Sequence, residues 1–499
     1  MYRQKVIIIG SGLGGLSCGV ILAKNGYDVT VLEQGSQPGG CLQCFVRHGV
    51  KFETGMHFIG SAAQGQTLDR LLNYLEVRND ITLSAMNPQG YDVVSLCGKR
   101  YQFANGREPF IEQMSSYFPQ QRENIVRYYD LVKTVAEASS LHTLKYAEND
   151  AALTTEYQTR SINDVIDSIV TDPLLAKVLV GTLPLYAARK DRTPFAAHAF
   201  ITDFYNQSAF RVVGGSDLIA QSLCRTIERR GGRVLTGHKA TKIICDEHHA
   251  TGVEVNGSQY IACDYVISDA HPMRTLELLD TKMIRPAFRQ RITAIPQTVG
   301  VFSLYLEFKE DCVPYMNYNF YGYQDDTPWN CELYDEASWP KNYLYMHFCP
   351  ERSPRYAKAG AILSYMQMED VERWRGTSAG HRGEEYEAFK RQKAERLLAV
   401  AEQQFPGLRA GVKRYYTSTP LTYYDYTGTE RGSMYGVVHD VVLGPACRVP
   451  QRTKVPNVYM TGQNINSHGM LGVIVGSIVT CSELLTAPLI YQQILAANE

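Results

Sequence analysis

The chain opens on a short apolar run, Val6-Ile7-Ile8-Ile9, whose unbroken β-branched character predicts a strand buried on both faces. Behind it Leu13, Leu16, Val20 and Ala23 recur at helical spacing, and Asn25-Gly26 predicts the stop. Tyr27 to Leu32 returns to strand character and ends at Glu33. Further on, Leu218, Ile219, Leu223 and Ile227 mark a helix, with Ser216 expected as its N-cap and Gly231 as its end. Strand material follows at Val234-Leu235-Thr236 and Lys242-Ile243-Ile244-Cys245, and Asn256-Gly257 between apolar runs predicts a hairpin. Near the C-terminus Asn457 to Thr461 reads as a strand. The helical pattern after it carries Gly469, Gly472 and Gly476 on one face. No stretch reaches the ~18 apolar residues of a spanning helix. The nearest, Met470 to Cys481, is broken by glycines and hydroxyls.

The loop between the first strand and helix reads Gly10-Ser11-Gly12-Leu13-Gly14-Gly15, a G-x-G-x-x-G in its expected strand–turn–helix–strand setting. Gly10 permits the tight turn, Gly12 lets a pyrophosphate approach the backbone, and Gly15 lets the helix sit close to the strand. Leu13 and Gly14 open a helix whose free N–H groups favour phosphate. Glu33 is placed to accept from adenosine ribose hydroxyls. A second glycine pair, Gly39-Gly40 before Cys41, suits a chain crossing over the phosphate and ribityl part of a cofactor. At the far end Gly462-Gln463 precedes the helix with three glycines in register. Each interior glycine costs ~1 kcal/mol relative to Ala, so something flat is expected against that face. An isoalloxazine ring meets that requirement, as does a tightly packed core helix.

At 499 residues the chain has length for about three ordinary domains. Lys+Arg and Asp+Glu nearly cancel, which gives no support to a nucleic-acid partner. Twelve cysteines at irregular spacing, without a secretory signal, point to free thiols in a reducing cytoplasm.

These segments resemble the flavin amine-oxidase-like superfamily, in its phytoene desaturase, carotenoid isomerase and retinol saturase branch. The resemblance is carried by Gly10 to Gly15 with Glu33, and by Pro38 to Cys41 running on to Glu53-Thr54-Gly55-Met56-His57. Val213 to Ser216, Gly231 to Val234 and Tyr265 to Ala270 continue it. Arg431 to Gly436 and Thr461-Gly462-Gln463-Asn464 complete it, with the Gly-Gln pair and the 53–60 phrase closest to the retinol saturases. It implies an α/β fold, with a Rossmann-like FAD-binding domain from residues 1–75, 196–289 and 441–499. A mixed α+β substrate domain would come from 76–195 and 290–440. It implies FAD contacts at Gly39, Gly40, Cys41, Ala240, Gly462, Gln463, Gly469, Leu471 and Gly472, and no metal. The implied activity is saturation, desaturation or isomerisation of a C=C bond in an extended hydrophobic polyene or lipid. NAD(P)H, if it is the reductant, would dock transiently over the flavin, since no second G-x-G-x-x-G follows a strand. A lipid substrate leaves peripheral membrane contact open. An amine oxidase acting on a polar substrate and a non-catalytic flavoprotein remain as other readings; Gln463, standing where an amine oxidase is expected to carry an acid, weighs against the first.

His57 is the candidate catalytic group, either bonding the flavin or relaying a proton; a structural histidine is the competing reading. His468 lies where it could touch the ring edge. Cys41 and Cys44 form a C-x-x-C, for which packed thiols are favoured over a redox disulfide. Two tyrosine clusters, 315/318/321/323 and 415/416/423/424/426, would either line a lipid tunnel or fill strand interfaces.

Overall fold

A computed structural model describes residues 3–144 and 151–499. Five parallel strands form one sheet in the order Arg233–Leu235, Asp28–Leu32, Lys5–Ile9, Tyr265–Ser268, Val458–Met460. The N-terminal strand lies at its centre, Ile7 pairing with Thr30 on one side and Val266 on the other. The helix Leu13–Lys24 packs behind it and ends at the expected Asn25-Gly26, with Gly26 at φ +85°. This helix has no polar face because a second helix, Gly469–Cys481, covers it, and Ser477 Oγ donates to the Gly14 carbonyl at 3.1 Å. The apolar stretch around Met470 is therefore a core helix. Among the described residues no helix is long and apolar enough to cross a membrane.

The helix Asp217–Arg229 follows its expected bounds, but Ser216 does not cap it. The Ser216 hydroxyl instead donates to the Leu42 carbonyl at 2.9 Å, tying this helix to the second glycine pair's segment. Ala240–Cys245, Ala250–Val255 and Gln259–Ala262 form a three-stranded antiparallel sheet whose turn uses Asn256 and Gly257 at positive φ.

A seven-stranded sheet dominates the other lobe. Its order is Val412–Ser418, Gly300–Phe308, Ala359–Met366, Asn342–His347, Asn319–Tyr323, Asp92–Leu96, Lys99–Phe103. Its five inner strands are buried on both faces. Val301, Tyr305 and Tyr321 point towards helices that include Arg122–Glu137 and Phe195–Gln207, while Phe302, Leu304 and Phe320 point towards the helix Glu384–Gln404. Tyr321 and Tyr323 of the first tyrosine cluster are thus sheet core.

Two structural relations cross the expected lobe boundaries. The helix Phe195–Gln207 packs with the second lobe, its His198 Nε2 lying 2.8 Å from the Tyr128 hydroxyl, so a cut at 195/196 runs through its first turn. A small sheet joins Ile59–Gly60, Ala209–Val212 and Leu83–Ala85, and so bridges the cut at 75/76. Periodicity places elements, but not which lobe supplies their packing partners.

Candidate functional site

The first glycine turn leaves the central strand at its C-terminal end, where parallel sheets place their ligands. Gly10 has φ +97°, and its N–H donates to the Leu32 carbonyl at 2.8 Å. A Cβ on Gly15 would lie 2.2 Å from the Gly10 carbonyl oxygen, so the close helix–strand approach is real. Glu33 closes the turn from the neighbouring strand, its Oε2 accepting from Ser11 N at 3.1 Å and Ser11 Oγ at 2.5 Å. Its Oε1 accepts from Gly35 N at 2.7 Å. A carboxylate has about four acceptor positions, so one remains for a ribose hydroxyl.

The second glycine pair crosses this turn. Gly39 N donates to the Ser11 carbonyl at 2.9 Å, and a Cβ on Gly40 would stand 3.1 Å from the Gly12 Cα. Ala240 arrives from the other side. It opens its strand two residues after His238, whose N–H donates to the Glu33 carbonyl at 2.8 Å.

The C-terminal glycine meets the N-terminal one. A Cβ on Gly14 would lie 2.8 Å from the Gly462 Cα, and Gly462 itself has φ +92°. Between them sits Asp269, at the end of the strand Tyr265–Ser268. Its carboxylate occupies the space that side chains on Gly12, Gly14 and Gly462 would take, at 2.3–2.4 Å. Burial pushes the Asp269 carboxyl up to about 7, against the lowering pull of the Gly15 and Gly12 N–H groups. The motifs predict only cofactor contacts for these glycines; the fold also uses them to admit a carboxyl group. Asp269 stands inside the quoted Tyr265 to Ala270 motif, where a carboxylate directly after a buried strand was the available signal.

The three glycines of the helix Gly469–Cys481 divide. A Cβ on Gly472 would fall 2.7–2.9 Å from Ser467, Gly476 is in ordinary contact distance of Asn466 at 3.6 Å, and Gly469 has open space and φ +75°. What comes close to Gly472 is the chain's own loop, which leads to the helix from Gly462 and Gln463. Leu471 is buried, and Gln463 is partly buried in that loop. His468, next to the helix start, is buried against the Tyr435 ring at 4.6 Å. Burial holds its imidazole down at about 3, and its Nε2 has no partner.

The segment holding His57 lies against the second glycine pair. A Cβ on Gly55 would meet the Cys41 carbonyl oxygen at 2.8 Å. His57 Nδ1 stands 3.5 Å from Glu53 Oε2, both side chains are buried, and neither atom, nor His57 Nε2, completes a hydrogen bond. The imidazole stacks on Phe348 at 5.8 Å, and burial raises the Glu53 carboxyl. Two orphaned ring nitrogens and a carboxylate oxygen in a dry place are costly, which is the mark of groups awaiting a ligand. Cys41 and Cys44 are pushed up to about 11 and about 12 by burial, so both are poor thiolates and a redox disulfide finds no support.

A cavity of about 530 Å³ opens beside Gly40, Cys41 and Thr54. Its walls include Phe45, Tyr305, Tyr416 and Tyr423, and Tyr423 donates to the Thr54 carbonyl at 3.0 Å. The hairpin Cys44–Arg47/Val50–Glu53 backs it, Phe45 stacking on Phe52 at 5.0 Å. Tyr415, Tyr416, Tyr423 and Tyr426 of the second tyrosine cluster line this cavity, whereas the first cluster does not.

The family model for flavin containing amine oxidoreductases matches residues 13–480. The chain belongs to that family. Among relatives of this flavin oxidoreductase, the rat (Rattus norvegicus) all-trans-retinol 13,14-reductase is 29% identical, covering 97% of this chain and 86% of the relative. Prolycopene isomerase 2 of an Oncidium hybrid cultivar is 23% identical over 98% and 84%. In three dimensions it is similar to an oxidoreductase of Methanosarcina mazei, with a TM-score of 0.66 at 16% identity, covering 96% and 100% of the two chains. The flavin of this oxidoreductase is FAD. The free acceptor on Glu33, the helix start at Gly12 to Gly15 and the unfilled polar atoms of Glu53 and His57 all fit such a group.

Proposed function

We propose that this oxidoreductase uses FAD to add hydrogen across a C=C bond of an extended hydrophobic polyene. The aromatic-walled cavity beside Gly40 and Cys41 carries the reading, because it offers a long apolar substrate a place against the segment that crosses the first glycine turn. The retinoid and carotenoid activities in the relatives' names support the same substrate class. Gly12 to Gly15 hold the pyrophosphate and Glu33 the ribose. Ala240 borders the adenine, Gly39, Gly40 and Cys41 cross the ribityl region, and Gly462, Gln463, Gly469, Leu471 and Gly472 border the ring.

Bound FAD supplies the hydride chemistry. The protein's part is to exclude water, orient the polyene and deliver a proton to the second carbon. His57 is the proton donor, and the Glu53 carboxylate is the basic partner that holds the proton on its imidazole. NAD(P)H is the external hydride source.

The test is anaerobic. FAD bleached by NAD(P)H should regain its colour on adding all-trans-retinol or prolycopene, with a product heavier by two hydrogens. His57→Gln should keep its FAD and lose about 10²–10⁴-fold in turnover. A flavin that no polyene reoxidises overturns the reading.

A further inference from the structure

Arg211 is 1% exposed, yet no carboxylate lies within ion-pairing distance of it among the described residues. A buried cation without a contacting anion costs several kcal/mol, so its retention calls for a reason. Its Nη1 donates to the His57 carbonyl at 3.4 Å. Its Nη2 donates to the Tyr318 carbonyl at 3.1 Å and to Asn319 Oδ1 at 3.0 Å, and its Nε has no partner. The guanidinium thus joins three pieces of chain: the His57 segment, its own strand Ala209–Val212, and the edge of the strand Asn319–Tyr323.

Two buried carboxyls flank it at second remove. Asn319 Nδ2 donates to Asp92 Oδ1 at 2.8 Å, and burial pushes Asp92 up to about 7. Glu53 is reached through His57: burial above all raises its carboxyl, His57 and then Arg211 oppose that, and Asp217 adds to it. Cys44, Tyr315 and Cys349 also sense Glu53, and burial raises all three, which keeps them uncharged. Lys51 is paired to Asp217 at 3.0 Å. Arg211 is therefore the permanent cation of this cluster.

We infer that Arg211 is a positioning residue for proton delivery: it fixes the backbone of His57 and supplies a positive charge that offsets part of the effect of burial on Glu53, the partner of the imidazole. The inference rests on the assignment of His57 and Glu53 to proton transfer, but its test does not need turnover. Without the guanidinium, Glu53 should hold its proton to higher pH, leaving His57 without a basic partner.

The experiment follows the protonated-carboxyl infrared band of Glu53 against pH in the FAD-loaded protein, the band being identified by its absence in Glu53→Gln. Arg211→Gln keeps hydrogen-bond donors but removes charge, and should move the midpoint up by about one pH unit or more. Arg211→Lys should restore it. An unmoved midpoint in folded Arg211→Gln, or one that Lys fails to restore, overturns the inference. If Arg211→Gln does not fold, the double variant Arg211→Gln/Glu53→Gln decides, since removing both charges should recover folded, FAD-loaded protein. Failure to recover means that the arginine is only structural. Should His57→Gln leave turnover intact while the Glu53 midpoint moves, the proton-donor assignment fails and the electrostatic role of Arg211 stands.

Discussion

Glu33 works twice in this site, as the closing acceptor for Ser11 and Gly35 and as the acceptor offered to a ribose. Glu33→Ala should therefore lower FAD affinity by more than the ribose contact alone. Losing charge-assisted bonds of ~1.5–3 kcal/mol corresponds to roughly 10- to 100-fold, read by flavin fluorescence on titrating FAD into stripped protein. Ser11→Ala should fall between the wild type and Glu33→Ala. Asp269 carries a pH prediction. Its ordinary value is 3.8 and the fold holds it at about 7, so between those values the native state binds more protons than the unfolded chain. Its contribution to stability is then present at low pH and lost as pH rises towards 7. Melting of the FAD-free protein should thus worsen from about pH 4 to pH 7 by more in the wild type than in Asp269→Asn; parallel curves would contradict it. Gly10, Glu33 and His57 stood out in the sequence because motif spacing exposes them. Arg211 did not, since one arginine in the apolar stretch Ala209 to Val213 reveals neither its burial nor its lack of an ion pair.

At the level of elements, the strand–turn–helix–strand unit was legible because each part has its own local signal: β-branching, glycine loop, 3.6-residue spacing, helix stop. The glycine helix was legible in position but not in meaning. Glycines in register announce a close approach, and only the fold tells that at Gly472 the approaching group is Ser467. A methyl at 472 must displace that backbone, whereas one at 476 meets its neighbours at ordinary distances. Gly472→Ala should cost about 1–3 kcal/mol in thermal unfolding and weaken FAD retention. Gly476→Ala should be neutral or slightly stabilising. Equal behaviour of the two would mean that the loop Gly462–His468 does not pack as described.

Across the whole molecule, the parallel sheet draws strands from three separated stretches, and the large sheet fills the intervals between them. The lobe boundaries were not legible, because the helix Phe195–Gln207 is apolar on a face that either lobe could have covered. The cavity was legible only as tyrosine content, and the sequence did not say which cluster lines it. Filling it tests its use: Thr417→Trp should raise KM for a polyene about tenfold or more, worth ~1.4 kcal/mol, and leave FAD content unchanged. The contact between Ser477 and Gly14 joins positions 463 apart in the chain. During synthesis, then, the strand Lys5–Ile9 and its glycine turn wait while more than four hundred residues are added before the helix that completes them is made. A nascent chain stalled before Gly462 would be unable to keep the cofactor, so loading with FAD follows synthesis of the helix Gly469–Cys481.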